Sequence, residues 1–229
     1  PVAQIDLGGG NIQYGYCLDA VEDGPSGVPY CFEGAGDDVR LAYLLTKYPP
    51  SLTDNIVQAE RQAAVWHYTN GWNLHLDNAT GSSDFSVDEA VAAAYSAIIA
   101  DVDTIDPNNP PAIFAPGAVE LAITPSSATN QLPAGSDHAF TVKLTKGGLP
   151  LSGYAVTLTS DFGVLNLGSG TTDANGEAAF TISSLVAGPA NFTATAEVLL
   201  PAGVVYLDEA RPTLSQPIGG PNPETITVT

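Results

Sequence analysis

Two cysteines, Cys17 and Cys31, and three histidines are the residues of this 229-residue chain whose chemistry goes beyond packing. A thiol with an imidazole and a carboxylate is the equipment of a cysteine hydrolase, and Cys17 or Cys31 with His67 or His75 meets that need by residue type. No local signature around either cysteine supports it. Joined as a disulfide, the same cysteines would close a short loop worth about 3 kcal/mol. Asp101-Val-Asp-Thr-Ile-Asp106 spaces three carboxylates in a way that suggests calcium, yet the glycine and closing glutamate of a calcium loop are missing. A solvated helix end is expected there. Histidines without cysteine or glutamate at ligand spacing hold no zinc, so neither a metal nor a cofactor is expected. Asn78-Ala-Thr80 and Asn191-Phe-Thr193 fit glycan acceptors, a frequent chance pattern.

Composition narrows the partners. Six Lys and Arg stand against 25 Asp and Glu, a formal charge of −19, which leaves little means of holding phosphates. Nucleic acid and anionic membranes are not expected partners. With 44% apolar and 14% charged residues the chain must bury a core. No apolar run approaches the roughly 18 residues of a membrane span. Twenty-three Gly, 18 Pro and no Met fit a secreted bacterial surface protein. A mature fragment is expected, with any signal or anchor outside it.

The elements that must position these residues change character near the middle. Up to Ala100 the apolar spacing is helical in three places, and from Val119 onward it mostly alternates. The proline-rich stretch from Asp106 to Gly117 reads as the linker. Asp37–Tyr48 predicts a short helix stopped by Pro49-Pro50. Thr53 or Asp54 caps a second helix to about Tyr68, with Ile56, Ala59, Ala63 and Trp66 on its buried stripe and Asn70-Gly71 as its end. Ser86-Val-Asp-Glu89 reads as a capping box opening a third helix that ends at Asp101. Ala3–Asp6 and Gln13–Leu18 are short strands.

The second part predicts strands at Ala139–Leu144, Tyr154–Thr159, Ala178–Ile182 and Asn191–Val198, separated by glycine turns, and so an all-β immunoglobulin-like sandwich. Gly148-Leu-Pro-Leu-Ser-Gly153 and Thr171-Thr-Asp-Ala-Asn-Gly-Glu-Ala-Ala-Phe180 resemble the bacterial group-1 immunoglobulin-like domains of invasin-type surface proteins, over roughly residues 119–200. Such domains usually act as spacers. Lys143 or Lys146 could form an isopeptide bond with an asparagine, as in some adhesin stalks.

Arg61-Gln-Ala-Ala-Val-Trp-His-Tyr-Thr-Asn-Gly71 resembles the Gln-x-Ala-(Val/Ile)-Trp signature of thioester domains of Gram-positive surface adhesins. Tyr16-Cys17-Leu18-Asp19 is similar to that family's cysteine motif, and Tyr30-Cys31-Phe32-Glu33 also satisfies it. The resemblance covers about residues 3–115, with Arg61 where the family has threonine. It implies an α+β thioester domain of short strands and about three helices at 1–116, followed by the immunoglobulin-like domain at 117–229.

It further implies that the Cys17 thiolate attacks the Gln62 carbonyl, releasing ammonia and leaving an internal thioester that an outside amine can open. Tyr16 and Trp66 would then shield the bond, Ala63 and Ala64 would let strand and helix approach, and His67 could move a proton. Cys31 is the alternative cysteine. On this reading the chain is the monomeric tip of a wall-anchored, extracellular adhesin. It attaches covalently through Gln62 to an amine-bearing ligand, without turnover. The competing expectation is a noncovalent structural or binding module with a Cys17–Cys31 disulfide, and its helices simply packing a core.

Overall fold

The computed structural model describes residues 3–6, 10–18, 20, 30–35, 38–74, 85–126, 133–202, 204–208, 218–220 and 225–228. Two short strands, β1 (Ala3–Asp6) and β2 (Ile12–Cys17), pair antiparallel, and β3 (Tyr30–Ala35) follows. Helix α1 (Val39–Lys47) starts where Asp38 accepts the Arg40 and Leu41 N–H groups, satisfying donors that the first turn leaves orphaned. Helix α2 (Asn55–Asn70) repeats the device with Asp54, and Gly71 ends it in the left-handed region, at φ 65°. Helix α3 spans Phe85–Val102, which places Ser86 inside the first turn rather than ahead of it as a capping box needs. Tyr16, Leu41, Leu44, Ala64, Val65 and Tyr95 share the core of this unit.

The buried stripe of α2 differs from the expected one. Ile56 is 44% exposed, whereas Gln58, Gln62, Ala63, Ala64 and Val65 are buried. Two glutamines replace aliphatic residues because the neighbouring chain offers main-chain partners, which apolar periodicity cannot reveal.

Beyond the proline-rich stretch come β4 (Val119–Thr124), β5 (His138–Lys146), β6 (Leu149–Pro150), β7 (Ala155–Ser160), β8 (Val164–Leu165), β9 (Ser169–Thr171), β10 (Glu177–Ser183) and β11 (Phe192–Leu199). One sheet runs β4-β5-β10-β8, and β11-β7-β9 form part of the other. Alternate residues Val142, Leu144, Val156, Leu158, Phe180 and Val198 face inward between them. In the turn before β10, Asp173 accepts the Asn175 and Glu177 N–H groups while Gly176 takes φ 75°.

The chain then returns. Strands β12 (Val204–Asp208) and β13 (Ile218–Gly220) insert between β2 and β3, giving the sheet order β1-β2-β13-β12-β3, and β14 (Thr225–Val228) goes back to pair with β11. Unit 1 is accordingly Pro1–Pro110 with Pro201–Pro223, and unit 2 is Pro111–Leu200 with Glu224–Thr229. The expected thioester-type α+β domain of a few short strands, followed by an unbroken sandwich, is corrected to a mixed α/β chain. Its first unit builds a five-stranded sheet from segments that precede and follow residues 111–200 along the chain. The strand Val204–Asp208 was not among those expected, and β-propensity does not say which sheet would receive it.

Candidate functional site

The structure brings Cys17 and Gln62 together. Gln62, 3% exposed on α2, donates from Nε2 to the Cys17 carbonyl at 2.7 Å and accepts the Cys17 N–H on Oε1 at 3.3 Å. The carboxamide thus bonds β2 as a neighbouring strand residue would, satisfying both main-chain groups of Cys17. Small Ala63 and Ala64 let α2 lie close over β2. Cys17 is a free, buried thiol, and burial raises its pKa, so the protonated form prevails near neutrality.

Around the pair, each side chain has structural work. Tyr16 is fully buried and donates to the Tyr48 carbonyl at 2.7 Å, tying β2 to the end of α1; burial holds its phenol well above the ordinary range. Arg61 donates to the Pro49 carbonyl, and Gln58 accepts the Ser51 N–H at 2.8 Å, so α2 also fixes the two-proline turn. Sequence reasoning missed Gln58, Arg61 and Tyr48 in these roles; a second glutamine one turn before Gln62 was the available signal. Trp66 meets Trp72 edge to face at 5.8 Å.

The resemblance gave His67 a part in moving a proton. In the structure its Nδ1 lies 2.8 Å from the Tyr95 hydroxyl and 3.1 Å from the Trp72 carbonyl, locking the end of α2 to α3. His75 and Asn78 lie outside the described residues.

Cys31 does not join the site. Cys17 pairs with Ile218 on β13, Ile218 with Tyr206 on β12, and Leu207 of β12 with Cys31 on β3. Three strand spacings, about 14 Å, separate the two cysteine backbones, twice what a disulfide spans. The expected Cys17–Cys31 disulfide is therefore corrected.

The remaining candidates are occupied elsewhere. Asp101 binds Lys47 and Tyr48, Asp103 pairs with Arg40 at 3.6 Å, and Asp106 caps the Asn108 N–H, so the three carboxylates face different partners. Among the described residues no His, Cys, Asp and Glu grouping could hold a metal ion, and no helix is long and apolar enough to cross a membrane. Lys143 pairs with Glu177 at 3.2 Å and Lys146 donates to the Ala115 carbonyl, which corrects the isopeptide expectation. Asn191 is engaged by Asp161 through its side chain at 2.8 Å.

No protein-family model matches the chain. A stretch of 51 residues, 22% of this chain, is 51% identical to intimin of Citrobacter freundii; it spans 5% of that protein's length. Among solved structures, the D0–D1 domain of intimin shows 22% identity over 41% of this chain and 36% of that one, with a TM-score of 0.25. A C-terminal 282-residue intimin fragment, in complex with the intimin-binding domain of the translocated intimin receptor, shows 19% identity over 49% and 33%, with a TM-score of 0.24. Scores this low establish no common fold, so the relation to intimin rests on the sequence match.

That match corrects the family assignment. The 51 matched residues are similar to a Gram-negative protein, which overturns the expected assignment to the Gram-positive thioester adhesins. The Cys17–Gln62 thioester, and covalent capture of an amine through Gln62, fall with it. The geometry has its own explanation, because both ends of the Gln62 amide are satisfied by the Cys17 main chain. An extracellular, surface-exposed setting stands; anchoring to a Gram-positive wall does not.

Proposed function

We propose that this chain is a noncovalent structural and binding module of a bacterial surface adhesin. The 51-residue stretch that is 51% identical to intimin carries the reading. Intimin has been solved bound to a receptor's protein domain, and the partner here is likewise a protein, held by surface complementarity. The module works by binding, without turnover. In this reading the Gln62–Cys17 clamp is architectural, joining α2 to the sheet, and segments outside this chain anchor it to a Gram-negative surface.

Intact-mass measurement tests the noncovalent reading. The expected mass is that of the unmodified sequence, unchanged by methylamine. A deficit of about 17 Da, with about 31 Da gained on methylamine treatment, would overturn it, since loss of ammonia and aminolysis mark an internal acyl donor.

A further inference from the structure

At the end of the unit 2 sandwich remote from Val119 and Leu199, three large apolar side chains lie open to solvent. Val164, Leu185 and Val186 are 71%, 82% and 66% exposed. Pairing places them together: Val164 sits opposite Ser183 across β8 and β10, and Leu185 and Val186 follow Ser183 closely in the chain. Single exposed apolar residues are ordinary, but an adjacent group marks a contact surface.

The support beneath them is ordered by its own hydrogen bonds. Asp161 accepts the main-chain and side-chain N–H groups of Asn191, each at 2.8 Å. Ser184 Oγ accepts the Val186 N–H at 3.2 Å and donates to its carbonyl at 2.8 Å, and the Gly135 N–H donates to the Ser184 carbonyl at 2.8 Å. At Gly188 a Cβ would lie 2.7 Å from the Phe162 ring, so the loops on either side of the patch touch there. A preorganised surface loses little conformational freedom on binding.

Charge selects the partner. Residues 111–200 hold six carboxylates and two lysines, Lys143 and Lys146. Lys143 is paired with Glu177 and Lys146 is held by the Ala115 carbonyl, whereas Asp137 and Asp161 stand at the apolar end. The Asn191 hydrogen bonds hold the Asp161 carboxyl below the usual carboxylate range.

We infer that this end of unit 2 is a docking surface for a protein whose contact face sets apolar side chains within a ring of lysine or arginine. The inference deepens the noncovalent reading and rests on it. A second copy of the chain, at −19, would bring like charge to the same place, and an anionic membrane is repelled for the same reason.

Calorimetry on the whole 229-residue chain tests it with three synthetic peptides: alternating Leu/Lys, Lys/Ser of equal charge, and uncharged Leu/Ser. The Leu/Lys peptide is expected to bind one to one, about tenfold or more tighter than either control, and to weaken with added salt. The triple variant V164S/L185S/V186S should lose about tenfold or more in affinity with its thermal unfolding unchanged, and L185K serves alone if the triple variant unfolds early. Leu199→Ser, at the other end, should bind like the parent. Absent binding, equal binding of the Lys/Ser peptide, or undiminished binding by both patch variants overturns the proposal. So does a sedimenting dimer that the patch variants abolish, or partition onto phosphatidylglycerol vesicles. A mass deficit would instead sink the noncovalent reading, so the two failures are distinguishable.

Discussion

Gln62 and Cys17 meet through the side-chain amide of one and the main chain of the other, in hydrogen bonds of 2.7 and 3.3 Å. The Cys17 thiol takes no part in either bond. Such a contact needs glutamine at position 62, because only a carboxamide of that reach donates and accepts at once, and it tolerates many residues at position 17.

That asymmetry gives the first prediction. Gln62→Ala leaves a buried N–H and a buried carbonyl unpaired and should cost about 2–4 kcal/mol in urea unfolding. Cys17→Ala keeps the main chain and should cost less than about 1.5 kcal/mol. Equal, large losses for the two would show that the thiol carries the contact.

The insertion of β12 and β13 gives the second. A chain ending at Leu200 lacks both strands, so in unit 1 β3 loses its ladder partner and β2 keeps β1 alone, and β11 loses β14 in unit 2. Amide exchange of β2 and of the α2 segment over it should quicken by about tenfold or more relative to the whole chain. Unaltered protection of β2 would mean that unit 1 closes without the returning segment.

Gly176 gives the third. It adopts φ 75°, and a Cβ there would stand 2.5 Å from the Leu144 carbonyl oxygen. Gly176→Ala should destabilise unit 2 by about 1–3 kcal/mol, because positive φ and a backbone clash act together. Gly153→Ala, at φ 86° with open space around it, should cost less; the reverse order in thermal melts would refute the assignment.

The fourth concerns acid. The Lys47 side chain, and secondarily the Tyr48 hydroxyl, hold the Asp101 carboxyl below its ordinary pKa. A folded pKa below the unfolded one contributes stability that is present above the ordinary carboxylate range and lost as pH falls through it. Asp101→Asn should therefore flatten the acid limb of unit 1's melting curve while lowering stability at neutral pH; an unchanged limb would show that Asp101 does not contribute. Lys47 is exposed and Asp101 partly so, and salt should therefore shrink the effect.

How far function was legible follows the range of the signals. The signature around Gln62 and the motif around Cys17 do come together, yet the resemblance that paired them led to a covalent chemistry that the match to intimin corrects. The Asp173–Gly176 turn, by contrast, is written in consecutive residues and forms as its side chains dictate. Exposure of Val164, Leu185 and Val186 was invisible in sequence, where they read as ordinary apolar positions.

The amino-acid order by itself determined the helices α1 and α2, the glycine stop at Gly71 and the alternating strands of unit 2. Those features are settled by contacts within a few residues. Tertiary structure alone decided that Val204–Asp208 and Ile218–Gly220 enter the first sheet, that Cys17 and Cys31 stand three strands apart, and that glutamines line the buried face of α2. Strand partners and buried polar pairs are chosen between segments far apart in the chain. Hydrogen-bond satisfaction and packing select among them only once the whole sheet is assembled.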